Sequence, residues 1–158
     1  MSVFVVMGVS GCGKTTVGEA LAETLQYRFF DADDFHPRQN IDKMARGEPL
    51  NDTDRQPWLE QLAELINTEK DGGIVLACSA LKQSYRDILV AETVVTFIHL
   101  DGTPEVIAER MGRRKHFMPP ALLESQFADL EPPKDAIRAS IDQTVPEMLK
   151  DILQQIEI

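Results

Sequence analysis

The stretch that most constrains the fold of this chain is "GVSGCGKTT", residues 8–16, which follows directly on the apolar run "VFVVM". Gly8, Gly13, Lys14 and Thr15 satisfy G-x-x-x-x-G-K-[ST], and the motif is meaningful only between a strand and a helix. Both flanks comply. "SVFVVM" reads as a strand buried on both faces, and Val17, Leu21 and Leu25 recur at helical spacing after the loop. Consecutive backbone N–H groups can wrap a phosphate only where side chains do not crowd the bend, and the helix that follows adds its partial positive charge. The loop residues Gly8, Val9, Ser10, Gly11, Cys12, Gly13, Lys14, Thr15 and Thr16 are therefore expected to cradle a nucleoside triphosphate. Lys14 would reach its terminal phosphates and the Thr15 hydroxyl would hold Mg²⁺.

The rest of the chain alternates strand and helix. "YRFFDA", "GGIVLACSA" and "VVTFIHL" read as strands, and "DAIRASID", between two helical patterns, reads as a fifth. Helices are expected over Pro37–Arg46 and "KQSYRDILVAE". Another, capped by Asp52 or Thr53, carries Trp58, Leu59, Leu62 and Ile66. "TPEVIAERM" follows with Thr103 as cap, then "PPALLESQFADL" and "PEMLKDILQQI", the last with Leu149, Ile152, Leu153 and Ile156 on one face. This pattern predicts an α/β fold of the P-loop NTPase type, three layers α/β/α around a five-stranded parallel sheet. No linker, repeat or low-complexity segment divides residues 1–158, so one domain is expected.

Acidic residues outnumber basic ones 26 to 16, giving a formal charge of −10 and arguing against nucleic acid as a partner. The N-terminus lacks the marks of a signal peptide and no apolar run is long enough for a membrane span, so a cytoplasmic location is expected. Cys12 and Cys78 fit a reducing compartment as buried thiols; a redox-sensitive Cys12, close to Lys14 and a helix start, is the other reading. Neither N-K-x-D nor a D-x-x-G switch occurs, which sets aside a guanine-nucleotide switch.

Two places offer a carboxylate for the metal. Asp101 ends the fourth strand, but Gly102, Thr103 and Pro104 follow it at once, so it reads equally as a turn residue. In "FFDADDFHP", Asp31 and Asp33 point to one side of an extended segment. One can face Mg²⁺ while the other accepts the proton of an attacking hydroxyl.

"GVSGCGKTT", "DADDFHPRQNIDKMARGEPLNDTDRQPWL", "CSALKQSYRDIL" and "HFMPPALLESQFADLEPP" together resemble the gluconate kinases, relatives of shikimate kinase among the small P-loop kinases. The match runs from residue 3 to about 133, with "SIDQTVPEML" similar to the family's C-terminal strand and helix. "HPRQNIDKM", "GEPLND" and "CSALK" are its specific part. The resemblance implies ATP-dependent phosphorylation of D-gluconate at the 6-hydroxyl and a homodimer. It implies that Asp31 sits near Mg²⁺, partly through water, that Asp33 touches the acceptor hydroxyl, that Arg55 meets the substrate carboxylate, and that "CSALK" lines the acceptor pocket. His36, Lys82, Arg86, His116 and Gln126 suit a polyol ending in a carboxylate, with Arg55 and Arg86 as its cations.

"ERMGRRKHFMP" resembles the family's lid, about residues 111–120, in which Arg110 lies over the adenine and Arg114 reaches the transferring phosphates. Many members have one more residue between the Arg-Lys pair and "HF"; here Lys115 runs straight into His116, leaving Arg113 and Arg114 as alternatives for the catalytic arginine. Two other readings are a P-loop kinase for a different small sugar acid or polyol, and an ATP-binding regulatory protein without turnover.

Overall fold

The computed structural model of the chain describes residues 2–112 and 120–156. Five strands, β1 (Val3–Met7), β2 (Arg28–Asp31), β3 (Ile74–Ala77), β4 (Thr96–Asp101) and β5 (Ile137–Ser140), form one sheet in the order β2-β3-β1-β4-β5. Every neighbouring pair is parallel. The connecting helices are α1 (Lys14–Leu25), α2 (Arg38–Ala45), α3 (Asp52–Glu69), α4 (Gln83–Leu89), α5 (Pro104–Gly112), α6 (Pro120–Asp129) and α7 (Val145–Ile156). The expected fold class is the observed one.

Side-chain alternation along β1 divides the interior in two. Phe4 and Val6 face a cluster with Val17 and Leu21 of α1, Ile107 of α5, and Met148 and Ile152 of α7. Val3, Val5 and Met7 face another with Trp58, Leu59, Leu62 and Ile66 of α3 and Tyr85 and Leu89 of α4. All five residues of β1 are buried, which is why its sequence reads as an unbroken apolar run. The central strand is thereby fixed on both faces, and its carboxyl end presents the glycine loop. Ligands bind at that edge in open parallel sheets.

The caps follow the sequence with one shift. The Thr103 hydroxyl accepts from the Val106 N–H at 3.2 Å. At α3 the cap is Asn51, one residue before the expected Asp52 or Thr53: its side chain accepts from the Asp54 N–H at 2.8 Å, and the Asp54 carboxylate accepts from the Asn51 N–H at 2.9 Å. A capping box takes the residue whose partner stands three positions on, and Asn51–Asp54 supplies it. Asp52 is left to project toward α4. The expected lid falls mainly on residues 113–119, so Arg113, Arg114, Lys115 and His116 lie outside the described residues. Among the described residues no helix is long and apolar enough to cross a membrane.

Candidate active site

The loop between β1 and α1 is shaped by its glycines. Gly8 adopts φ +148°, and a Cβ there would stand 2.8 Å from Cys12 Sγ and 2.9 Å from the Leu100 carbonyl oxygen. Gly13 precedes α1 in the left-handed region, φ +96°, and no side chain caps that helix, so the amides of its first turn stay open to an anion. The Lys14 ammonium donates to the carbonyls of Gly8 and Val9, at 3.0 and 3.2 Å, spanning the loop it would leave for a phosphate. Two loop amides expected to face phosphate are otherwise engaged: the Ser10 N–H donates to Gln126 Oε1 at 2.7 Å and the Cys12 N–H to the Val9 carbonyl at 3.3 Å.

At the end of β2, Asp31 caps a short 3-10 turn, Ala32–Phe35, by accepting from the Asp33 N–H at 3.0 Å. Its other oxygen accepts from the Thr15 hydroxyl at 3.0 Å. A hydroxyl and a carboxylate at that distance are the hard oxygen donors that suit Mg²⁺. Asp33 is exposed on the neighbouring side of the turn. Its carboxyl is raised above the ordinary range, first by partial desolvation on the side that faces the cavity and then by the charge of Asp31, with Lys14 opposing.

A cavity of about 380 Å³ joins these groups to α2, α3 and α6. Lys14, Asp33, His36, Arg55, Ser79 and Gln126 all line it. The His36 ring stacks on Trp58, with centroids 4.1 Å apart and planes 15° from parallel. Burial, and secondarily the charge of Arg55, hold its pKa down at about 4, so it is neutral at physiological pH. Trp58 is itself anchored by its indole N–H, which donates to the Ala32 carbonyl at 2.7 Å. Arg55, 8% exposed, donates to the Tyr85 hydroxyl at 2.8 Å and lies 3.7 Å from Asp129. The Tyr85 hydroxyl in turn donates to Asp52 at 2.5 Å. The cavity thus has Lys14 and the Asp33 carboxylate on its wall, and a half-neutralised arginine, Arg55, among its other lining residues.

The sequence matches the shikimate kinase family model over residues 10–151. It is 46% identical to the thermosensitive gluconokinase of Escherichia coli K12, covering 97% of this chain and 86% of the relative. Against a probable gluconokinase of Rattus norvegicus the figures are 43%, 98% and 97%. The crystal structure of a gluconokinase from Sinorhizobium meliloti 1021 superposes with a TM-score of 0.92 at 42% identity, covering 99% of this chain and 91% of that one. The chain belongs to the gluconokinase family. It is accordingly a P-loop kinase that uses a nucleotide.

Within this gluconokinase-family fold, several expected ligands sit elsewhere. Arg86 is the clear correction: its guanidinium donates to the carbonyls of Ala80, Leu81 and Glu131 and to Gln83 Oε1, at 2.7–3.2 Å. It is 2% exposed and borders a different cavity, so its donors bind the turn after β3 to the segment after α6 rather than a substrate. Ala80, at φ +44°, stands at the bend that carries the Ala80 and Leu81 carbonyls. Lys82 pairs with Asp52 at 3.0 Å and lies 4.0 Å from Asp129; it flanks the Arg55–Tyr85 pair and does not line the cavity. Gln126 does line it, but both ends of its amide hold Ser10, the Nε2 end donating to the hydroxyl at 3.0 Å. Arg110 donates to the carbonyls of Ile141 and, at 3.2 Å, Gln143.

Asp101 pairs with Arg138 on β5, as its place at a strand end before a turn allows. Both cysteines are buried; Cys12 is completely so, which removes the exposure that redox sensing requires, and burial pushes the Cys78 thiol up to about 12. Four site residues escape a reading by residue type alone. Trp58 and Tyr85 look like core, Ser79 like a strand end and Asn40 like a surface amide. The Trp58 position, on the same helix face as the core leucines, carried a signal of burial, and Ser79 was reached only through "CSALK" and its resemblance to the family's acceptor pocket.

Proposed function

We propose that the chain transfers the γ-phosphoryl group of ATP to the 6-hydroxyl of D-gluconate, giving 6-phospho-D-gluconate and ADP. The observation that carries this reading is the single cavity lined by Lys14, Asp33 and Arg55 in a chain 46% identical to a gluconokinase over nearly its whole length. Residues 1–158 act as one kinase domain.

Asp33 accepts the proton of the 6-hydroxyl as that oxygen forms its bond to the γ-phosphorus. The bond from the γ-phosphorus to the bridging oxygen breaks, and ADP carries the electron pair away. Lys14 leaves the Gly8 and Val9 carbonyls to place its charge on the phosphates. Thr15 and Asp31, already 3.0 Å apart, hold Mg²⁺, which when bound neutralises charge on the phosphate oxygens. Arg55 receives the gluconate carboxylate. Because Tyr85 and Asp129 approach that guanidinium without exhausting its five N–H donors, it retains donors for a ligand. Arg110 spends in-plane donors on two carbonyls and keeps its flat face for stacking on the adenine. Arg113 or Arg114 supplies the lid cation, and His116 a polyol contact.

Coupled ADP release over a panel of gluconate, shikimate and other sugar acids tests the proposal. Saturable, gluconate-dependent release is expected; a flat response to gluconate, with release on another acid, overturns it.

A further inference from the structure

His36 has no room to change its proton arrangement. Its ring lies flat on Trp58, 4.1 Å between centroids, and its side chain is 4% exposed. One helical turn on, Asn40 is fully buried. The Asn40 Nδ2 atom is 2.9 Å from the Asp54 carbonyl oxygen and 3.3 Å from His36 Nδ1. A carbonyl oxygen can face only a donor, so Asp54 fixes which end of the Asn40 amide is nitrogen. The second Nδ2 hydrogen is then directed at His36 Nδ1, which must accept it through its lone pair. The ring proton therefore resides on Nε2. That atom is 3.7 Å from Asp33 Oδ1, one small rotation of an exposed carboxylate from a hydrogen bond.

From this geometry we infer that Asn40 locks His36 as a neutral Nε2–H donor, and that His36 is the positioning residue that holds the Asp33 carboxylate toward the acceptor hydroxyl. The charge state matters as much as the direction. An imidazolium beside Asp33 would stabilise the ionised carboxylate and weaken it as a base, whereas a neutral N–H orients it at smaller cost to its basicity. The charged groups facing the ring, Asp33 from its own turn and Arg55 from α3, pull in opposite directions on its protonation. The Asn40 donor and the Trp58 face leave the uncharged ring favoured. The carbonyl that receives the Asn40 amide is itself fixed in place, because Asp54 belongs to the α3 capping box and pairs with Lys43 of α2 at 2.7 Å.

The second half of this inference rests on gluconate phosphorylation; the first half does not, and the test separates them. Imidazole ¹H–¹⁵N correlation spectra of the free protein at pH 7, with His36 assigned from its loss in His36→Gln, are expected to show protonation at Nε2 alone. Asn40→Leu is expected to lose that preference. A wild-type ring protonated at Nδ1, or at both nitrogens, overturns the inference.

In steady-state kinetics, the Gln variant can place an amide N–H where Nε2 was and the Asn variant cannot. His36→Gln is expected to retain roughly tenfold more kcat than His36→Asn, the worth of one hydrogen bond, with the same KM for ATP in both. Equal losses in the two variants overturn the positioning role and leave His36 as packing. A wild-type enzyme silent toward gluconate would sink the functional reading instead, and the spectrum would still decide the tautomer.

Discussion

The phosphate loop is held by one continuous unit, β1, loop and α1, and its working groups are mainly backbone amides. The wall opposite takes side chains from six places: the turn after β2, α2, the loop between α2 and α3, α3, the turn after β3, and α6. The first region can be specified locally, since glycines at 8 and 13 suffice to shape it. The second exists only when distant helices pack in register. A cradle for a ligand common to many enzymes can be built from the part of the chain that all residues share, whereas recognition of one acceptor requires side chains that must be assembled.

The sharpest way to separate the regions is Asp33→Asn. It removes the proton acceptor but touches none of the loop amides, so turnover should fall roughly 10²- to 10⁴-fold while the affinity for ATP, measured by titration in the absence of acceptor, stays near that of the wild type. A comparable fall in ATP affinity would mean that the two regions are not energetically distinct.

The same contrast explains what could be read without coordinates. Sheet, helix order and the loop's purpose follow from period and spacing, because each is a local property: the burial of β1 on both faces is written in five consecutive apolar residues. The motif singled out Thr15 and the strand period the pair Asp31 and Asp33, while only the family resemblance distinguished the two carboxylates, and the Thr15 hydroxyl and the Asp31 carboxylate do stand together at 3.0 Å. Arg55 and His36 were legible only through resemblance to a family, since nothing local marks an arginine on α3 as facing a cavity. Arg86 shows where residue type misleads. Its chemistry suits a carboxylate, yet the left-handed turn at Ala80 brings two carbonyls to it and the segment after α6 a third, and that turn has no glycine to announce it. Tyr85 and Asn40 stayed invisible because their role is to hold other side chains, a relation with no sequence spacing.

An intermediate effect is expected from acid. The buried His36 ring has a pKa near 4 in the folded chain and about 6.5 when unfolded. Between these values the unfolded state binds more protons, so stability rises with pH through this window and is lost as pH falls through it. The full difference is ~3 kcal/mol, from 1.36 kcal/mol per pKa unit. Urea unfolding from pH 7 to pH 4 measures it. The loss should shrink in His36→Gln, and amide exchange should place the first opening in α2 and the start of α3, leaving β1 and α1 protected. Unchanged acid sensitivity in the variant would assign the loss to the carboxylates instead.

The smallest effect, and the finest test of how the acceptor wall is assembled, is Tyr85→Phe. The ring remains, with its contacts to the Arg55 and Lys82 cations at 5.2 and 5.6 Å, and only the hydroxyl is lost. That hydroxyl accepts from Arg55 and donates to Asp52, whose carboxyl Tyr85 and Lys82 together hold below the usual range. Without it the Arg55 guanidinium has Asp129, 3.7 Å away, as its remaining anchor, and its freedom must be given up again when a carboxylate binds. A hydrogen bond involving a charged group is worth about 1.5–3 kcal/mol; part of this returns through water at the mouth of the cavity, so KM for gluconate should rise about tenfold, ~1.4 kcal/mol. The KM for ATP should change little, since the loop loses no contact, while the unfolding midpoint should fall modestly because the folded chain loses the hydrogen bond to Arg55. A fall in kcat at unchanged KM would instead mean that Arg55 acts in the transition state rather than in holding the acceptor. In that event the arginine would belong with Lys14 among the groups that act on the phosphoryl, and the boundary between the two regions would lie inside α3.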